Sequence, residues 1–343
     1  MKIGIISFTK QGFALGKRIK NQLEKNHMVS VDWCAKENRI KHASLRDWSK
    51  VHFAQDDALV FVGAAGIAVR SIAPYVQDKL SDPAVLVIDE KGNFVIPILS
   101  GHVGGANALS EEIANNLSAM PVITTATDVN AKFAVDVFAK KNGLFIQNKN
   151  GIKAVSARLL REEGVSFSLE GAIHGGVPKE LKQVPYPPTG KIDFLVSPYL
   201  ETCETSLFLV PKAIVLGIGC KAGKSDREIE DFVETFLKIT KIQKEAVKAV
   251  CSIDKKKEES GILSFCEKRG LPFFTYSAAE LKEVSGTFRT SLFVEQTVGV
   301  DNVCERAALN GCKEGGTLIA KKCAKNGITL AAARMDWGVD FDE

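Results

Sequence analysis

Five apolar residues, Ala58–Val62, run straight into Gly63-Ala-Ala-Gly66, and the chain repeats this arrangement twice more. Phe94–Leu99 enters Ser100-Gly101-His102-Val103-Gly104-Gly105, and residues 213–216 enter Gly217-Ile-Gly219-Cys-Lys221-Ala-Gly223. A strand with no polar alternation has to be covered on both faces. Amphipathic helical patterns supply the cover: Leu15, Ile19 and Leu23, then Ala106, Leu109, Ile113 and Leu117, then Ile229, Phe232, Val233, Phe236 and Leu237. Residues 3–7, 84–88, 121–125, 247–253 and 272–276 extend the strand series, and Asp89-Glu-Lys-Gly-Asn93 has the turn chemistry of a hairpin. The fold class is therefore α/β. N-terminal and C-terminal Rossmann-like, open, mostly parallel sheet domains flank a smaller middle domain.

The predicted boundaries are 1–127, 128–210 and 211–343. Helical patterns at 132–140 and 153–161 and strands at 194–197 and 206–210 make up the middle part, with Gly171, Gly175, Gly176, Pro178, Pro185, Pro187 and Pro188 predicting one long loop. In the last part Ser225 or Asp226 caps a helix, Ser277-Ala-Ala-Glu280 is a capping box, Asp301 or Asn302 caps 303–310, and Asn326-Gly327 joins a final hairpin. Length agrees with two or three domains, since the chain has 343 residues. A net charge of +4 with 25% charged residues is too small for a nucleic-acid footprint without a clustered patch. The longest apolar run, 58–69, contains two glycines and is too short to span a bilayer. The amino-terminal stretch reads as a strand, not a signal peptide. Eight cysteines without any C-x-x-C suggest neither a disulfide scaffold nor a zinc site. These features predict a cytoplasmic protein with reduced thiols, no resident metal, no nucleic-acid partner and no membrane partner.

Chemistry can sit at the three glycine turns. Glycine lets the backbone approach an anion while the following helix offers unpaired N–H groups; it can equally serve only to make a tight connection. Gly223-Lys224-Ser225 imitates the end of a P-loop, but Gly217 and Gly219 are each one residue out of register for it. Lys221 and Lys224 follow one strand, and Lys255, Lys256 and Lys257 the next. Loops at the carboxyl ends of parallel strands share an edge, so these are either a cationic crevice or a solvated run offset by Glu258 and Glu259. Of five histidines, His27, His42 and His52 lie in polar segments expected to be exposed, and His174 lies in the Gly/Pro segment. His102 follows a buried strand inside a glycine turn, with Ser100 before it and Asn107 behind. There it can act as a general acid/base or merely bind backbone. Thr124-Thr125-Ala-Thr-Asp128 ends a strand expected at the same edge, which makes Asp128 the orienting or second carboxylate and Ser100 a hydrogen-bonding helper. Glu295 and Glu305 bracket the turn 297–301 as candidate acids.

Phe61-Val-Gly-Ala-Ala-Gly-Ile-Ala-Val-Arg70, Asp78-Lys-Leu-Ser-Asp-Pro-Ala-Val-Leu-Val-Ile-Asp89, Leu99-Ser-Gly-His-Val-Gly-Gly-Ala-Asn107 and Pro121-Val-Ile-Thr-Thr-Ala-Thr-Asp128 resemble the amino-terminal region of the CbiG family of anaerobic cobalamin biosynthesis. Gly217-Ile-Gly-Cys220, Ser252-Ile-Asp-Lys-Lys256 and Val298-Gly-Val-x-x-Val-Cys-Glu305 resemble its carboxyl-terminal domain, which is similar to CobE. The resemblance spans about residues 58–333, with the acidic 336–343 tail beyond it. It implies a cobalt-precorrin-5A hydrolase. Such an enzyme opens the ring-A δ-lactone of a cobalt-tetrapyrrole and releases C20 with its methyl as acetaldehyde, giving cobalt-precorrin-5B. No cofactor is implied, because the cobalt is carried by the substrate. The implied partners are that substrate and neighbouring enzymes of the pathway. The substrate's acetate and propionate groups suit the glycine turns and lysines, so Gly63, Gly66, Arg70, Gly104, Gly105, Asn107, Thr125, Gly219, Lys221, Lys255, Lys256, Glu295 and Glu305 are the expected substrate contacts. His102, Asp128 and Ser100 are the expected catalytic set. The rival readings are a non-catalytic corrinoid-binding or chaperone protein and an NTP-dependent enzyme.

Overall fold

The computed structural model describes residues 1–34, 44–201, 203–313 and 315–342, so His42 lies outside the described residues. The chain forms two compact units, Met1–Val137 and Phe138–Glu343.

In the first unit the order is β1 (Lys2–Ser7), α1 (Lys10–Leu23), β2 (Met28–Trp33), α2 (Leu45–Gln55), β3 (Ala58–Val62), α3 (Ala65–Ile72), β4 (Ala84–Ile88), β5 (Phe94–Leu99), α4 (Ala106–Leu117), β6 (Met120–Pro121) and α5 (Ala126–Val129). Helix α6 (Val135–Lys141) begins here. One six-stranded sheet runs β2-β1-β3-β4-β5-β6. The central strands β1, β3 and β4 are buried almost throughout because helices cover both faces. Leu15, Ile19 and Leu23 of α1 and Leu109, Ile113 and Leu117 of α4 lie on one side, and Trp48, Phe53, Ala68 and Ile72 on the other. Fully burying such side chains contributes about 1.5–3 kcal/mol each. The 89–93 hairpin forms as the sequence predicts: the Asp89 carboxylate accepts from the N–H groups of Lys91, Asn93 and Phe94. Its consequence is directional. β5 runs antiparallel to β4, while β1 to β4 are mutually parallel and β6 is parallel to β5. The carboxyl end of β5 therefore lies beside the amino end of β4, with Leu99 opposite Val85. The strand expected at 121–125 is shorter than predicted: β6 ends at Pro121.

The second unit holds two five-stranded sheets. The first comprises β7 (Phe145–Ile146), β8 (Val165–Leu169), β10 (Leu181–Gln183), β11 (Ile192–Val196) and β12 (Thr205–Val210), ordered β10-β8-β11-β12-β7, with α7 (Lys149–Leu160) packed on it. β9 (Ala172–His174) stands apart. The Gly/Pro segment is thus not one long loop. It carries β9 and β10, short pieces whose pairing comes from neighbours distant in sequence, and β10 sits at a sheet edge, where glycine and proline beside a strand are tolerated. The second sheet comprises β13 (Ile214–Cys220), β14 (Val247–Ile253), β15 (Phe273–Tyr276), β16 (Thr317–Lys325) and β17 (Ile328–Arg334), ordered β15-β14-β13-β17-β16. Helices α8 (Asp226–Thr240), α9 (Ser260–Arg269), α10 (Ala278–Glu283), α11 (Leu292–Val298) and α12 (Cys304–Gly311) accompany it. Ser225 caps α8 in a capping box with Glu228, and its five predicted apolar positions are all buried. Ser277 and Glu280 form the second box. Asn302, not Asp301, serves α12: its Oδ1 accepts from the Glu305 N–H at 2.9 Å.

The acidic tail is part of this unit. β18 (Gly338–Asp340) pairs in parallel with β9, and Phe341 stacks on Phe138 with centroids 4.6 Å apart. Glu170 holds the tail's approach, accepting from the guanidinium of Arg334 and from the Trp337 indole N–H at 2.8 Å.

Candidate active site

The turn after β5 is wound tightly. The Gly105 N–H donates to His102 O, Ala106 N–H to Ser100 O and Asn107 N–H to Gly101 O. A Cβ on Gly104 would stand 2.5 Å from the carbonyl oxygen of Ser100, so no larger residue fits without reshaping the turn. Ser100 itself is left-handed, with φ +55°, and its buried Oγ has no hydrogen-bond partner. The helper role expected of Ser100 finds no contact here; its hydroxyl is shut inside the turn.

His102 is presented by this turn to a set of polar groups. Its Nε2 lies 2.7 Å from Asp128 Oδ2 and 2.9 Å from Thr127 Oγ1. Asp128 Oδ2 also accepts from Asn107 Nδ2 at 2.7 Å, and that same amide nitrogen donates to Thr125 Oγ1 at 3.1 Å. On the other side of the ring, Nδ1 is 3.6 Å from Asp136 Oδ1, and Lys79 Nζ is 3.7 Å from Asp136 Oδ2. The sequence pairing of His102 with Asp128, Asn107 and Thr125 is thus brought together. Thr127 belongs to the same Thr-Thr-Ala-Thr-Asp string expected at this edge, whereas Asp136 and Lys79 were missed. Lys79 lies in a motif string already quoted, while Asp136 sits in a helical stretch with no local feature to mark it.

The electrostatics follow from burial. The ring of His102 is 14% exposed, Asp136 7% and Asp128 37%. The interaction with Asp136 weighs most on His102 and raises its pKa above 6.5, desolvation opposes this, and Asp128 adds to the rise. Asp128 is closer but more exposed to water, which screens it. For Asp136, desolvation pushes upward, yet His102 and then Lys79 outweigh it and hold the carboxyl below 3.8. The imidazolium form is therefore favoured. Its contribution to stability is complete below pH 6.5 and is lost as pH rises through the raised His102 value. The Asp136 contribution is present above pH 3.8 and is lost as pH falls through its lowered value. We expect denaturant titrations across pH 6–9 to show an alkaline decline that the His102→Gln variant lacks. Parallel curves for the two proteins would contradict the ion pair.

The other expected contacts fall elsewhere. Gly63 and Gly66 lie after β3, with Arg70 exposed on α3, at the carboxyl edge of β1, β3 and β4. His102 lies at the opposite edge because the hairpin reversed β5. Five residues of strand separate the edges by about 17 Å. In the second unit β13 and β14 are parallel, so Lys221 and Lys255–Lys257 do project from one edge. Much of that charge is already engaged. Lys256 pairs with Glu259 at 2.7 Å, Lys224 with Glu228 at 2.7 Å, and Lys255 Nζ donates to Thr297 O at 2.9 Å. Glu259 also accepts from the Gly223 N–H at 2.8 Å, so a side chain of the protein occupies that turn. Gly219 lies within β13, in register with Thr329. Glu295 is exposed on α11. Glu305 is 0% exposed and accepts from the N–H groups of Arg289 and Lys322 and from Asn302, which is the bonding of a structural carboxylate. His27 and His52 are not exposed as expected: His27 contacts Glu112, and His52 stacks on Trp48 and bonds Asp56 at 2.5 Å.

Family models match in three consecutive pieces: Cobalamin synthesis G N-terminal over residues 47–128, Cobalamin biosynthesis central region over 133–207, and Cobalamin synthesis G C-terminus over 214–333. A cobalt-precorrin-5A hydrolase of Salmonella typhimurium (strain LT2) is 34% identical over 345 residues, covering 96% of each chain. The chain belongs to the CbiG family. A second relative, the cobalt-precorrin-5A hydrolase of Priestia megaterium, is 32% identical over 96% of this chain and 94% of its own. The CobE protein of a Sinorhizobium species is 31% identical over 121 residues, 35% of this chain and 79% of its own. The first two CbiG models cover the turn with His102, Asp128 and, in the central region, Asp136. Among the described residues no helix is long and apolar enough to cross a membrane.

Proposed function

We propose that this chain is a cobalt-precorrin-5A hydrolase that opens the ring-A δ-lactone of its cobalt-tetrapyrrole substrate and releases acetaldehyde, leaving cobalt-precorrin-5B. The observation that carries the reading is His102 seated beside Asp128 in the glycine turn, in a chain alike end to end to relatives bearing that name. Lactone hydrolysis delivers hydroxide from water to the acyl carbon and a proton to the departing oxygen. His102, favoured as imidazolium, supplies that proton. Asp128, fixed by Asn107 and partly open to solvent, takes one from the attacking water. The C20 hydroxyl so freed then loses its proton as the carbon–carbon bond holding C20 to the macrocycle breaks, the electron pair passing to the ring and acetaldehyde leaving. The reading needs no resident cofactor, because the cobalt arrives with the substrate. It places the enzyme in the cytoplasm beside others of the pathway. The test is acetaldehyde release from the lactone-form substrate by the purified protein. Tight binding without acetaldehyde would make the chain a carrier instead.

Substrate carboxylates are assigned to Lys221, Lys255 and Lys256 at the carboxyl edge of β13 and β14. Two of these must first leave partners of the chain's own, Thr297 and Glu259. Each is therefore expected to matter modestly, about two- to five-fold in affinity. The triple alanine variant should bind corrinoid more weakly at low salt, with the difference shrinking as salt rises. Equal affinities at low salt would remove these lysines from the binding surface.

A further inference from the structure

The two nitrogens of His102 face different surroundings. On the Nε2 side stand Thr127 and the half-open Asp128, and on the Nδ1 side stands Asp136, almost fully buried at the start of α6. A proton donor that works on a substrate needs one nitrogen open to it and the other held. Only the Nε2 side has a carboxylate that water, and hence a ligand, can reach. The Asp136 contact of 3.6 Å is an ion-pair distance that a few tenths of an ångström would close into a hydrogen bond. We propose that Asp136 is a positioning residue of this site, holding the Nδ1 side of His102 so that Nε2 is the nitrogen presented to substrate. The proposal rests on the reading of His102 as the proton donor. A buried carboxylate on the rear nitrogen of an imidazole fixes its tautomer and orientation and stabilises the charged ring, as in a Ser-His-Asp triad. Lys79 has the complementary part: from the loop before β4 it reaches the far oxygen of Asp136, helping to keep that carboxyl ionised without touching the ring. The charged groups set against His102 are then Asp128 from α5, Asp136 from α6, and Lys79 through Asp136, with Asn107 of α4 contributing an amide to Asp128.

The test is read on the ring itself by nitrogen NMR of the full chain with labelled histidine, with no substrate present. In the unaltered protein the ring should stay protonated on both nitrogens at pH 6.5, with Nε2–H directed at Asp128 and Nδ1–H at Asp136. A ring already neutral at pH 6.5 would overturn the proposal, and this measurement needs no variant that must fold. In Asp136→Asn the His102 midpoint should move down, and in Lys79→Met it should move up, opposite responses that general loosening of the fold does not produce. An unchanged midpoint in a folded Asp136→Asn protein would also overturn it. In turnover, Asp136→Asn should lose kcat on the order of 10²-fold or more with KM little altered, and Asp136→Glu, which keeps the charge, should recover part of it. Should acetaldehyde release prove indifferent to His102, the reading of the site fails while the ring-protonation result still stands or falls separately.

Discussion

Replacing His102 by alanine should lower kcat for acetaldehyde release by about 10²- to 10⁴-fold while the protein keeps its fold and its affinity for corrinoid. The fold should survive because the turn is held by backbone bonds, Gly105 N–H to His102 O and Ala106 N–H to Ser100 O, which the side chain does not enter. Some stability is forfeited below the raised His102 pKa, since Asp128 and Asp136 are then left facing each other without the imidazolium between them. His102→Gln separates the roles: glutamine can hydrogen-bond a substrate carboxylate but cannot deliver a proton. Both variants should therefore lose kcat alike. Normal kcat with raised KM in either would turn His102 into a binding residue.

Gly217→Ala should destabilise the second unit by at least about 3 kcal/mol, read as a lowered denaturant midpoint. A Cβ at this position would stand 1.8 Å from the carbonyl oxygen of Cys304 and 2.9 Å from the Ala308 nitrogen, so the backbone of α12 lies directly on β13 there. Neither element can yield alone. β13 is central, paired with β14 and β17, and α12 carries Glu305, whose carboxylate ties Arg289 and Lys322 to the helix. Moving α12 outward would strain that buried network. Gly219→Ala is the contrasting change. Its Cβ meets only the Thr329 hydroxyl, at 2.7 Å, which can rotate away. A similar loss from both substitutions would show that close packing of α12 is not the reason for glycine at 217.

The Gly217 case marks how far sequence reading reached. A glycine after a buried strand suggests an anion seat, but whether it faces a ligand or a helix depends on where residues 304–311 come to rest. Features decided within a few residues were legible: the apolar strands, the two capping boxes, the Asn326-Gly327 turn and the Asp89 hairpin. Their energetics are local, so the order of residues states them outright. The pairing of His102 with Asp128 was legible too, because two parallel strands, β5 and β6, end at one edge. That Gly63 and Arg70 lie at the far edge was implicit in the hairpin and became plain only once the strand directions were set. Tertiary structure alone decided the rest. It joined Asp136 and Lys79 behind the imidazole, buried Glu305 against Arg289 and Lys322, and made strands of 172–174 and 181–183. Each of these depends on partners brought close by chain reversal, and burial then fixes their electrostatics, since a carboxylate sealed from water governs an imidazole more strongly than a nearer one that water can screen.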